Sequence, residues 1–335
     1  MAAGTNAFWR MPCRGVLTNE RVDPVDTPEK VAAHVHQVHG GNNFALMANN
    51  QDLRDSECTS CMVKGDNSAY WYPQLYWQDN EGKLTLVESS GGALIYYLLR
   101  PEDGVSVKPF PENFRMIAGD GTLRSWPYPS WEVNDPRLRG KGGWSPEDEL
   151  NEAKKRQHAI GWNCLNQYGP VEDTIWRKNI PQGKKCDFGL RAEVVFPSCW
   201  NGKDEDTSDH RSHMAYPSLV EAGECPEGYP IRLPTLLYEV TWNTWPLVQK
   251  GNGRLVLATG DPTGYGWHAD FMNGWDTSLL NDAIHQCTNM NGEITSCPVF
   301  VNRGLLQDED TQKACKKPKI EVNEEVHGPL SELPG

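Results

Sequence analysis

No apolar run in the 335 residues is longer than the eight of Gly92–Leu99, well short of the roughly 18–20 needed to span a bilayer. No membrane helix is therefore expected. Cations are scarce as well: 32 Lys and Arg stand against 45 Asp and Glu, a formal net charge of −13. Nucleic-acid binders draw their affinity from surface cations that displace counterions, so nucleic acid is set aside as a partner. There is no Gly-x-Ser-x-Gly elbow, no P-loop and no dinucleotide fingerprint, which removes serine-hydrolase, nucleotide and NAD chemistry. No Asn-x-Ser/Thr sequon occurs, so glycosylation signals lend secretion no support. The single CxxC, Cys58–Cys61, has no second pair to complete a four-thiolate zinc site. Its neighbours Asp55, Ser56 and Glu57 disfavour the thiolates of a redox-active dithiol. No basic-then-apolar leader opens the chain, which reads as a mature secreted form.

What is present is cysteine, tryptophan and loop residues. The ten cysteines are even in number and scattered beside turns, a pattern that suits up to five disulfides in an oxidising compartment. Cys287 and Cys297 could close a short hairpin-like loop, but spacing alone does not fix the pairing. Thirteen Trp beside 31 Gly and 24 Pro describe an ordered, loop-rich chain with many flat aromatic faces. Strand-like segments are Leu84–Val87, Ala93–Leu99, Val105–Phe110, Gly189–Phe196, Leu233–Trp242 and Arg254–Ala258. Two helices are legible. One starts at Ser145-Pro146-Glu147-Asp148 and runs toward Ile160; the other starts near Asp276, with Leu279, Leu280, Ala283 and Ile284 as its apolar stripe up to Cys287. Regular strand–helix alternation is missing. The expected fold is mainly β, an antiparallel β-sandwich of jelly-roll type with long loops and a few short helices. Residues 1–315 form one β-rich domain in this reading and 316–335 an extended tail. A monomer is expected.

Histidine concentrates in three places. His34, His36 and His39 precede Gly40-Gly41; His210 and His213 follow Asp209; His268 stands two before Asp270. In an extended chain His34 and His36 share a face and His39 points away. In a helix begun at Thr27-Pro28-Glu29, His36 and His39 would be neighbours instead. Asp204, Asp206 and Asp209 imitate a calcium loop, but the glycine that an EF-hand needs at the sixth position is missing. Asp209 beside His210 and His213 suits a carboxylate that orients an imidazole. Around His268 and Asp270 lie Trp267, Asn273 and Trp275, a combination suited to stacking on sugar rings and fixing hydroxyls. Glu193 and Glu239 lie in apolar strands, where a carboxylate must be paired, protonated or functional.

The blocks Phe8–Gly15, His34–Phe44, Trp71–Leu75, Cys199–Pro217 and Gly260–Trp275 together resemble a fungal secreted family called domain of unknown function 1996, often found beside WSC carbohydrate-binding domains. The resemblance runs from about Phe8 to Pro334 and implies secretion and a polysaccharide setting such as a cell wall. It supplies no settled activity and no catalytic residues. The reading that follows is a secreted enzyme cleaving glycosidic bonds, by hydrolysis or elimination. His213 and His268 serve as general acid and base with Asp209 and Asp270 as their carboxylates, while His34, His36, Trp267, Asn273 and Trp275 contact substrate. A variant has His34, His36 and either His213 or His268 holding a divalent metal that activates water. The rivals are a non-catalytic glycan-binding or wall protein and a metal-dependent hydrolase or nuclease.

Overall fold

Every second residue of Ala7–Cys13 is buried and those between are half-exposed, the signature of a strand with one face on a core. Thr235–Trp242 and Ser89–Leu99 share that core, through Leu236, Tyr238, Val240 and Trp242 on one and Ile95, Tyr97 and Leu99 on the other. The computed structural model describes residues 7–102, 104–126, 151–166 and 177–335. In chain order its strands are β1 (Ala7–Cys13), β2 (Thr18–Glu20), β3 (His36–Gly40), β4 (Ala69–Pro73), β5 (Leu75–Gln78), β6 (Leu84–Leu86), β7 (Ser89–Leu99), β8 (Arg115–Gly119), β9 (Ile160–Cys164), β10 (Leu190–Val195), β11 (Cys199–Trp200), β12 (Met214–Ala215), β13 (Ile231–Arg232), β14 (Thr235–Trp242), β15 (Arg254–Leu257), β16 (His268–Met272) and β17 (Gly292–Glu293).

A six-stranded sheet runs β17-β1-β7-β14-β10-β9 and a five-stranded sheet β2-β3-β4-β16-β8, with two small three-stranded sheets beside them. Pairing is antiparallel except for β1 with β17. The two large sheets share one aromatic core. Tyr70 lies edge-on to Tyr238, and Tyr72 edge-on to Trp242. The mainly β architecture of antiparallel sheets, long loops and short helices is thus observed. The helix over Thr277–Gln286 is the one expected: Asp276 caps it by accepting from the Leu279 amide, and Leu279, Leu280, Ala283 and Ile284 are its buried residues. The other expected helix appears as Glu152–His158, capped by Asn151; its proposed start at Ser145 lies outside the described residues. Val105–Phe110 is not a strand. Pro109 and Pro111 lack the N–H groups that a ladder needs, and Lys108 alone bonds across, to the Arg232 carbonyl at 2.8 Å.

All ten cysteines pair, as Cys13–Cys61, Cys58–Cys315, Cys164–Cys186, Cys199–Cys225 and Cys287–Cys297. The two cysteines of the CxxC therefore bond elsewhere and not to each other. Residues 316–335 lie against the body. Lys317 pairs with Glu20 at 3.2 Å, Arg21 with Glu324 at 2.7 Å, and Leu330 bridges to Leu84. No helix among the described residues is long and apolar enough to cross a membrane.

A polar chain crosses the sandwich. The Trp275 indole donates to the Tyr97 hydroxyl at 2.7 Å, Tyr97 and Tyr70 share a bond of 2.6 Å, and Tyr70 donates to Asp66. Burial pushes the Asp66 carboxyl from its ordinary 3.8 up to about 6. The folded state thus holds this proton more tightly than the unfolded one. The resulting stability is fully present below pH 3.8 and is lost as pH rises through about 6. Relative to Asp66→Asn, the parent chain should lose about 3 kcal/mol of unfolding free energy between pH 3.5 and pH 7. Urea unfolding of both proteins at the two pH values checks this; parallel curves would remove Asp66 as the cause.

Candidate metal centre and cavity

Strand register builds the site. In β3–β4, His36 stands opposite Pro73 and Val38 opposite Trp71. In β4–β16, Trp71 stands opposite Asp270; in β16–β8, Asp270 meets Ile117 and His268 meets Gly119. With side chains alternating at period two, His36, Trp71, Asp270 and His268 emerge on the same face of the five-stranded sheet. That face is turned away from the Tyr70–Tyr72 core. His34, just before β3, adds a third imidazole to it. The His34 and His36 rings are 4.2 Å apart and the His34 and His268 rings 5.2 Å. The extended reading of this histidine run holds, and His39 does point away: its ring nitrogens meet the Gly15 carbonyl and the Tyr72 hydroxyl, each at 2.7 Å.

One potential ligand atom from each of His34, His36 and His268 lies within 4.8 Å of the others, and the same is true of Asp23, His36 and Asp270. Several of these atoms are buried without a partner: His34 Nε2, both ring nitrogens of His36, and Asp270 Oδ2. The Val22 main chain comes near His36, and Asp23 Oδ2 is 3.9 Å from its Nε2, but neither closes a well-formed bond. A buried polar atom left unpaired costs about 1–3 kcal/mol. His268 is fixed differently. Its Nδ1–H donates to the Gly266 carbonyl at 2.9 Å, which sets the tautomer and leaves the Nε2 lone pair free. Gly121 lies flat over that ring, where an added Cβ would sit 2.9 Å from Cε1. A larger residue at 121 would displace the imidazole.

Burial, helped by neighbouring charges, keeps the three imidazoles neutral. It takes His34 far below the ordinary range, His36 to about 3 and His268 to about 4. The same burial raises Asp23 to about 6, against the pull of the Val25 and Asp26 amides, and raises Asp270 well above a normal carboxyl. Neutral imidazole nitrogens beside carboxyl oxygens are the donor set that divalent first-row transition metals prefer. A zinc–nitrogen distance of ~2.1 Å places ligand atoms roughly 3–4 Å apart, so the groups need to close by only about an ångström.

The cluster opens into a cavity of about 660 Å³. His34, His268, Asp270 and Asp209 line it, joined by Asp23, Asp120, Arg156 and Arg211, which sequence reasoning did not single out. His36 lies buried beneath. Asp209 is held on the wall by its own loop, accepting from the Ser212 and Arg211 amides and from two hydroxyls, and these bonds keep its carboxyl far below the usual range.

Four expected contributors are placed elsewhere. His213 is fully buried; its Nε2–H donates to the Arg115 carbonyl at 2.9 Å and its Nδ1 meets Thr207 Oγ1 at 3.1 Å, so neither nitrogen is left for a substrate proton or a metal. Trp275 and Trp267 are core residues with no exposed face. The first packs on Phe300 and Tyr97, the second among Trp162, Trp242 and Tyr72. Asn273 is also buried, bonding the Pro111 carbonyl and the Trp275 amide. Among the described residues, the indole wall expected of Trp267 and Trp275 is therefore absent from this cavity: these large, flat rings went to the interface between the sheets, where they bury the most area. Glu193 and Glu239 face each other across β10–β14, with Arg191 reaching both at 2.6 and 3.2 Å. They form an ion network on the outer face of the six-stranded sheet.

A family model described as Domain of unknown function (DUF1996) matches residues 23–275, a span that contains Asp23, His34, His36, His268 and Asp270. No curated protein and no solved structure matches the chain.

Proposed function

The chain belongs to the family described as Domain of unknown function (DUF1996), and from the site it carries we propose an extracellular, metal-dependent enzyme that cleaves glycosidic bonds of a polysaccharide. One observation carries the reading: orphaned ring nitrogens of His34 and His36 meet His268, whose Nε2 is free, at the floor of an open cavity, and the orphaned Asp270 carboxyl meets the same His36. A divalent cation held there would take one ring nitrogen each from His34, His36 and His268, with Asp270 or Asp23 close enough to His36 to join them. When bound, such a cation lowers the pKa of a coordinated water and polarises an oxygen of the substrate. The chain's own residues do the rest. Gly266 and Gly121 fix the His268 ring, Asp23 lies beside His36 to steer it, and Asp209 and Asp120 stand on the wall as acceptors for hydroxyl groups. Five disulfides support an oxidising, extracellular setting. The polar lining suits a polyhydroxylated ligand better than an apolar one.

The non-catalytic rival depended on exposed tryptophan faces at this place, and Trp267 and Trp275 are buried. The experiment is a screen of chelator-free protein on β-glucans, chitin and polyuronates. His268→Ala is the test variant and His285→Ala, an exposed position on the Thr277–Gln286 helix, is the control. Soluble products that vanish with chelator and with His268→Ala, but persist in His285→Ala, are expected. Polymer binding without product from any substrate would instead establish a glycan-binding protein.

A further inference from the structure

Arg156 and Arg211 line the cavity and Arg124 bonds the carbonyls of its lining residues Gly121 and Thr259; none of the three has an ion-pair partner among the described residues. Arg211 donates from Nε to the Gly119 carbonyl at 3.3 Å and from Nη1 to the Asp209 carbonyl at 3.0 Å. Arg124 donates to the carbonyls of Gly121, Leu123 and Thr259 at 2.7, 2.8 and 2.8 Å. Arg156 lines the cavity with no hydrogen-bond or ion-pair partner among the described residues. Elsewhere several guanidiniums pair with carboxylates, as in Arg21–Glu324, Arg100–Glu221 and Arg191–Glu193, while Arg14, Arg54 and Arg254 bond neutral oxygens apart from one another. Here the partners of Arg211 and Arg124 are carbonyls around His268, which hold the two groups in place without an ion pair. Guanidinium is a planar, always-charged donor that matches a carboxylate in two-pronged fashion.

Acids share the mouth, but they are turned to other work. One oxygen of Asp120 accepts from the amide and hydroxyl of Thr122, and Asp209 is bound into its own turn. Among the described residues no ion pair joins either carboxylate to Arg124, Arg156 or Arg211, although Arg211 and Arg156 act on Asp120 through space and help hold its carboxyl below the usual range, and Asp26 is a further acid on the lining. The cavity therefore offers fixed cations for an anionic group and fixed acceptors for hydroxyls. A polymer of hydroxy acids presents both.

We infer that Arg124, Arg156 and Arg211 form an anion subsite beside the candidate metal centre, and that the substrate is an acidic polysaccharide whose uronate carboxylate docks there. This rests on the glycan reading of the cavity, yet its test needs no catalysis. Binding of tri-galacturonate, its methyl ester and inorganic sulfate is measured by calorimetry on the protein as purified and on Arg211→Ala, Arg156→Ala and His268→Ala. Tri-galacturonate should bind the parent chain, and the uncharged ester should bind at least tenfold more weakly. Each arginine variant should lose roughly 10- to 100-fold for the acid, the worth of a charge-assisted bond pair, and little for the ester. His268→Ala should retain most of the arginine-dependent preference for acid over ester. Equal binding of acid and ester would overturn the inference, as would arginine variants that bind like the parent. Sulfate competing as well as tri-galacturonate would leave an adventitious anion site and overturn the uronate assignment. Uronate binding without any cleavage would keep this inference while removing the enzymatic reading; cleavage of a neutral glycan untouched by the arginine variants would do the reverse.

Discussion

His268→Ala is expected to bind zinc at least about 100-fold more weakly than the parent chain while remaining folded. The imidazole has one nitrogen committed to the Gly266 carbonyl and one free, so substitution deletes a ligand without disturbing the other two histidines. Even the partners that merely orient a ligand typically cost 10–100-fold in metal affinity, and a ligand itself should cost more. The truncated side chain opens onto an existing cavity, so the loss of packing should be smaller than for a residue sealed in the core. Metal bound only to the folded state stabilises it by about 2.7 kcal/mol at a hundredfold excess over Kd. Zinc should therefore raise the melting temperature of the parent by several degrees and that of the variant hardly at all. Titration calorimetry and paired thermal scans measure both effects. Equal affinity and an equal thermal shift would place any metal elsewhere.

The largest effect on stability is expected from Cys58→Ser with Cys315→Ser. This disulfide closes a separation of 257 residues, against 10 for Cys287–Cys297 and 22 for Cys164–Cys186. On the chain-entropy account the cost of loop closure grows with the logarithm of loop length, giving about 5.5 kcal/mol as an upper bound here and about 3 kcal/mol for the shortest loop. Cys315 is also where residues 316–335 leave the body. Beyond it the segment is held by Lys317 on Glu20, Arg21 on Glu324 and the Leu330–Leu84 bridge. Leu333 and Gly335 at its end line the cavity beside His34. The double variant should unfold at lower urea and expose 316–335 to protease before the rest of the chain. If Cys287→Ser with Cys297→Ser proves the more damaging pair, loop length is not what this bond supplies.

How far the sequence spoke depends on the kind of signal. The Thr277–Gln286 helix was legible because cap, apolar stripe and stop all agree within one turn of their expected places. His34 and His36 were legible as neighbours because two residues in an extended chain always share a face. The five-stranded sheet was harder to see. Its strands β3, β4 and β16 are buried on both faces, so Ala69–Pro73 and His268–Met272 show no alternation to read. That sheet is what carries His36 to His268, and its register includes the pairing of Trp71 with Asp270, about two hundred residues apart in the chain. Asp23 sits among turn residues and looks like one. His213 resembles a catalytic imidazole in sequence, yet it lies buried against the Arg115 carbonyl, Thr207 and Phe114. Trp267 and Trp275 flank the site in sequence, but they stand just outside the His268–Met272 strand and pack with Tyr72 and Tyr97 in the core between the sheets. Proximity along the chain therefore found the histidines and mistook their companions.

Diffraction at the zinc absorption edge, from crystals of chelator-free protein soaked in zinc, tests the centre most directly. An anomalous peak within bonding distance of His34 Nε2, His268 Nε2 and a ring nitrogen of His36, with Asp270 or Asp23 completing the shell, is the predicted result. Zinc-saturated crystals with no peak there, and those three rings bonded only to water or to main-chain carbonyls, would contradict it.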